Sequence, residues 1–97
     1  MIIYLRKFGT TLTSRQAGRE ALAAFRSSLE GVGEAEIVEV DFEGVITFSP
    51  SWGDEFLTFL RERFGNRLVL LNTENPSVMA TLELLEEVSQ KRFRVNY

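Results

Sequence analysis

Residues Arg67–Asn72, RLVLLN, form an unbroken apolar run between two segments of helical period. A strand with one wet face alternates apolar and polar residues. A continuous run instead suits a central strand covered on both faces, as in parallel sheets. The flanking segments fit that frame. Ile2–Lys7 reads as a short strand, with Ile3 and Leu5 on one face and Ile2 and Tyr4 on the other, and Gly9 ends it. Thr13–Leu29 reads as a helix, with Thr13 and Gln16 spaced as a capping box. Its apolar stripe is Ala17, Ala21, Phe25 and Leu29, widened by Leu22 and Ala24, and Gly31 and Gly33 stop it. Glu36–Phe42 reads as a strand and Glu43-Gly44 as a turn, while Val45–Phe48 fits either an extended loop or a strand continuation. A second helix spans Pro50–Phe64, with Trp52, Phe56, Phe59 and Leu60 facing in and Leu57 and Phe64 at the margin. A third spans Pro76–Ser89, with Val78, Leu82 and Leu85 facing in. The tail alternates, placing Phe93, Val95 and Tyr97 on one side and Arg92, Arg94 and Asn96 on the other.

Strands separated by helices imply a largely parallel sheet, because each crossover helix returns the chain to the same end. The expectation is one α/β domain over residues 1–97, with a four- to five-stranded sheet and about three helices. Composition narrows the chemistry. The absence of cysteine excludes disulfides and thiol nucleophiles, and the absence of histidine removes the usual neutral-pH base and the commonest metal ligand. A net charge of −3 with mixed signs argues against nucleic acid as a partner. No apolar run reaches bilayer length, and MIIYLRK lacks the form of a signal peptide, so a cytoplasmic location is expected. No glycine-rich phosphate loop or metal-ligand spacing is present, so no cofactor and no metal are expected. Asp54 and Glu55 are adjacent and diverge on a helix, which does not make a catalytic carboxylate pair, and no catalytic residue is assigned.

In parallel sheets, sites form beyond the carboxyl ends of the strands. The loops Asp41–Pro50 and Asn72–Pro76 both leave such ends. Each finishes with a polar cap followed by proline at the first helical position: Ser49-Pro50 and Asn75-Pro76. Ser51 then stands among the free N–H groups of a helix start, where a phosphate would be welcomed. Asp54 and Glu55 follow three and four residues on, so they would neighbour that phosphate. A serine there is also an ordinary helix-start residue, and acids near a helix start stabilise it.

The stretch DFEGVITFSPSWGDEF resembles the strand-loop-helix signature of STAS domains, named for sulfate transporters and anti-sigma factor antagonists. It is most similar to a STAS-like family of small proteins of unknown function. That family joins a Ser-Arg pair before the first helix to Asp-Phe-x-Gly-Val and a Ser-aromatic-x-Asp-Glu helix start. Here these are Ser14-Arg15, Asp41–Val45 and Ser51–Glu55, and the resemblance covers roughly residues 10 to 90. It implies a non-enzymatic, partner-switching binding protein. Its expected partner is a histidine-kinase-like ATPase acting as a serine kinase, which phosphorylates the helix-start serine and so breaks the complex. The resemblance carries the phosphoacceptor onto Ser51. The match departs at Ser49, Pro50 and Trp52, where antagonists read Asp-Ser-Ser-Gly.

The partner surface suggested by these residues is Ser49, Pro50, Trp52, Asp54 and Glu55 around Ser51. Trp52 is either an interface anchor or, by its spacing to Phe56, a core residue. Arg15 either orders the loop by pairing with Asp41, Asp54 or Glu55, receives a phosphate, or is solvated. The Arg92/Arg94 face meets an acidic partner or protects a sheet edge. Two other functions remain open: a constitutive STAS-like adaptor without phosphorylation, and a small nucleotide-binding protein using the strand-end loops.

Overall fold

Short strands and three long helices alternate along the described residues, 1–96, of the computed structural model. Tyr97, expected beside Phe93 and Val95, lies outside them. In chain order the elements are β1 (Ile2–Tyr4), β2 (Thr11–Leu12), α1 (Arg15–Glu30), β3 (Val38–Asp41), β4 (Thr47–Phe48), α2 (Pro50–Phe64), β5 (Leu68–Leu71), α3 (Pro76–Ser89) and β6 (Arg94–Asn96). The main sheet has four parallel strands in the order β1-β3-β5-β6. β2 and β4 form a separate parallel pair, with Thr11 opposite Thr47 and Leu12 opposite Phe48.

Each crossover steps one strand in the same direction. Crossovers of one hand stepping one way leave all their helices on one face of the sheet. Burial follows the register. Ile3, Val40 and Leu70 are aligned neighbours and each is 0% exposed. The row one residue before them, Ile2, Glu39, Val69 and Arg94, faces away from the helices. RLVLLN is therefore covered by helices on one face only, not on both. Val69 is still buried, flanked in register by Glu39 and Arg94.

The helices meet the sheet through an aromatic cluster. Trp52 stacks on Phe56 with ring centroids 4.9 Å apart, and Phe48 meets both Phe42 and Trp52 edge-on. Phe8 joins Phe25, Trp52 and Phe56 to this cluster. Phe8 reaches it because Leu5–Phe8 is a turn of 3₁₀ helix rather than the end of a strand, closed where Gly9 N–H donates to the Arg6 carbonyl.

Other details differ from expectation. The cap of α1 is Ser14, whose hydroxyl accepts from the Ala17 N–H, and not Thr13. Ala17 and Ala24 are exposed, whereas Gly18 is buried. On α2, Leu57 is fully buried and Phe59 only partly. α2 lies between α1 and α3 as well as on the sheet, so its buried arc is wider than one stripe. Arg61 also falls inside that arc. The inward Val78, Leu82 and Leu85 of α3 are as the spacing implied.

Candidate functional site

β3 and β5 are parallel, so the loops that follow them emerge on the same rim. The loops are tied together there. Asp41 is 8% exposed and accepts from the Glu43 N–H within its own turn and from Asn72 Nδ2 on the other loop, both at 2.9 Å. Asn75 Nδ2 donates to the carbonyls of Val45 and Ile46, while its side-chain oxygen caps α3. Ser77 and Thr81 hydroxyls both donate to the Phe48 carbonyl, and Phe48 N–H donates back to Ser77 Oγ. Gly44, at φ +85°, makes the turn that starts this segment and is a position other residues adopt only with strain. Asp41 thus orders the rim through Asn72, without Arg15.

The β2–β4 pair carries this rim to the start of α1. Ser49 N–H donates to the Leu12 carbonyl, and Ser49 Oγ donates to the Thr13 carbonyl at 2.6 Å while accepting from the Trp52 N–H. Ser49 is therefore both the cap of α2 and a bridge to the start of α1. Its hydroxyl is engaged on both sides, which removes it as a free partner contact. Trp52 is 1% exposed and sits in the aromatic cluster, which removes it as a surface anchor. Pro50 is half-buried at the first helical position.

Two helix starts now lie side by side, and charged side chains bridge them. Arg15 donates from Nη1 to Asp54 Oδ2 and to Glu55 Oε1, each at 3.0 Å, and Arg19 Nη2 donates to Glu55 Oε1 at 3.3 Å. Of the three acids within its sequence reach, Arg15 bonds Asp54 and Glu55, and Asp41 bonds Asn72 instead. Asp54 and Glu55 lie in the second turn of α2, so their charge answers Arg15 and Arg19 rather than the helix dipole. The hydrogen bonds that Arg15 donates, first to Asp54 and then to Glu55, raise its pKa above the ordinary value. The bond from Arg15, followed by that from Arg19, lowers the Glu55 pKa below the ordinary carboxylate value. Asp54 is paired with one cation and Glu55 with two, which makes this a charge-balanced surface.

Close approach of the helices makes these bridges possible. A Cβ on Gly18 would stand 2.8 Å from the Trp52 carbonyl oxygen, so only glycine lets α1 and α2 touch there. Ser51 is half-buried at the second position of α2, and no hydrogen bond ties its hydroxyl to the described residues. Arg19 and Ile46 belong to this surface although their sequence context did not single them out. Arg19 is one turn after Arg15. Ile46 is 64% exposed on the strand-end loop, where an apolar residue between buried Val45 and Phe48 gave no sign of facing out. Among the described residues, no group of acids is arranged to hold a metal ion, and no helix is long and apolar enough to cross a membrane.

Comparison with protein-family models, with curated proteins and with solved structures yields no match.

Proposed function

We propose that this chain is a non-enzymatic, STAS-like regulatory binding protein whose strand-end rim docks a protein partner and whose switch is phosphorylation of Ser51. The partner proposed is a histidine-kinase-like ATPase acting as a serine kinase. The observation that carries the reading is the convergence of separate stretches of chain. Ser14-Arg15 and the Ser51–Glu55 helix start are far apart in sequence yet meet, joined by Ser49 to Thr13 and by Arg15 to Asp54 and Glu55, while the segment leaving the Asp41–Val45 turn is tied to the residues before α1 where Ile46 N–H donates to the Thr10 carbonyl. Ser51 supplies a half-buried hydroxyl that no hydrogen bond ties to the described residues.

The physical consequence of phosphorylation follows from the ion pairs. Arg15 and Arg19 already neutralise Asp54 and Glu55. A phosphate on Ser51 adds about −1.5 to −2 charges one turn from Asp54. It competes with Asp54 for Arg15 and leaves uncompensated negative charge on a surface the partner must desolvate. The reading is tested by phosphopeptide mapping of the protein isolated from its own cells and of the protein incubated with the proposed kinase. A phosphate on Ser51 supports the switch. A chain without phosphate in both samples leaves an adaptor that binds through the same rim without modification.

A further inference from the structure

At the opposite end of the sheet, Arg61 is 6% exposed, and no carboxylate among the described residues lies within ion-pair distance of it. Its guanidinium lies over the Phe93 ring at 4.5 Å, and Nη1 donates to the Lys91 carbonyl at 3.3 Å. Its buried Nε–H has no acceptor among the described residues. A guanidinium is an array of donors that stays charged at any relevant pH, so a buried one needs counter-charge or a full set of acceptors. Arg61 has neither among the described residues.

The side chain lines a hollow of about 500 Å³ between the end of α2, the Gly65–Asn66 turn and the segment leading into β6. Lys91, Arg92 and Arg94 line the same hollow, with Glu62 the one acid there, in a chain whose net charge is −3. None of these cations forms a salt bridge among the described residues, and Arg94 donates only to the Asn66 carbonyl. Unpaired positive charge has therefore been gathered around one buried, under-satisfied arginine. Protection of a sheet edge accounts for Arg94. It does not account for Arg61, which is on a helix and buried.

We infer that this hollow binds the phosphate group of a small molecule, with Arg61 as the buried anchor and Lys91 and Arg92 closing over the anion. A guanidinium fork matches the geometry of phosphate oxygens, and flanking cations balance the charge of a dianion better than that of a single carboxylate. The volume is in the range of small-ligand pockets, so the phosphate has room to bring a compact organic group with it. The site is distinct from the Ser51 rim and does not rest on the proposed switch.

The test is a titration of the folded chain with inorganic phosphate at constant ionic strength, followed by the Arg61 Nε–H and backbone amide resonances. The expected result is a saturable shift confined to Arg61, Gly65–Asn66 and Lys91–Arg94, with acetate producing a much weaker one. Arg61→Met should weaken phosphate binding by about tenfold or more. Because Arg61 is buried, a second variant is needed that leaves the core intact. Lys91→Gln combined with Arg92→Gln, both exposed, should fold normally and weaken binding by several-fold. Absence of a saturable shift, unchanged affinity in the double variant, equal response to acetate, or shifts centred on Ser51 would each overturn the site.

Discussion

At the scale of single residues, position decides what side chains of similar chemistry do. Ser49 and Ser51 are two apart, yet one hydroxyl is bonded on both sides and the other is not. Ser49→Ala should therefore cost about 1 kcal/mol or more, because it removes a helix cap and the bond to Thr13 together. Ser51→Ala should stay within about 0.5 kcal/mol of wild type in urea denaturation. Gly18 illustrates the limits of local reading. Alanine is the better helix former by about 1 kcal/mol, so propensity favours replacement. The Cβ would nonetheless meet the Trp52 carbonyl oxygen at 2.8 Å. Backbone has little room to give, so Gly18→Ala should destabilise by about 1–3 kcal/mol, measured by the same denaturation. Nothing in the sequence around Gly18 signals this, because the constraint comes from another helix. Glu55 carries a pH prediction. Its folded pKa lies below the ordinary value of 4.5 because Arg15 and Arg19 hold it ionised. A depressed carboxylate stabilises the fold at pH above its unfolded pKa, and that contribution disappears as pH falls through the folded one. The stability difference between wild type and Glu55→Gln should stay constant from neutral pH down to near 4.5 and then shrink toward zero at lower pH.

At the scale of elements, punctuation was more legible than pairing. α2 and α3 begin and end as the sequence implies, Pro50–Phe64 and Pro76–Ser89, because Ser-Pro and Asn-Pro are strong helix starts. The cap of α1 is one residue later than the spacing implies, since Thr13 and Ser14 are neighbours of similar capping chemistry and only tertiary geometry chooses between them. The β2–β4 pair was not legible. Two residues carry no alternation, and the pairing joins positions far apart in sequence. The sequence leaves Arg15 open between pairing and solvation; its bonds to Asp54 and Glu55 rather than Asp41 depend on how closely α1 and α2 approach. The inner side of α2 carries the core: Phe56 and Leu60 are each 0% exposed. Truncating either to alanine should cost about 2–5 kcal/mol, read from chemical denaturation. For a domain of this size, that is a large share of the total stability.

At the scale of the molecule, one-directional winding leaves the helices on one face of the sheet and two opposite rims for chemistry. One rim gathers the strand-end loops and Ser51, and the other gathers Arg61 and its neighbouring cations. The regulatory reading depends on the first rim being the surface a partner covers. The most direct test is the affinity of that partner, the proposed kinase, for unmodified protein, for protein phosphorylated at Ser51, and for Ser51→Ala. Ser51→Ala should bind as the unmodified chain does. Phosphorylated protein should bind a few hundredfold more weakly, a disruption of roughly 3–4 kcal/mol. Equal affinities for all three forms would contradict a switch at this rim.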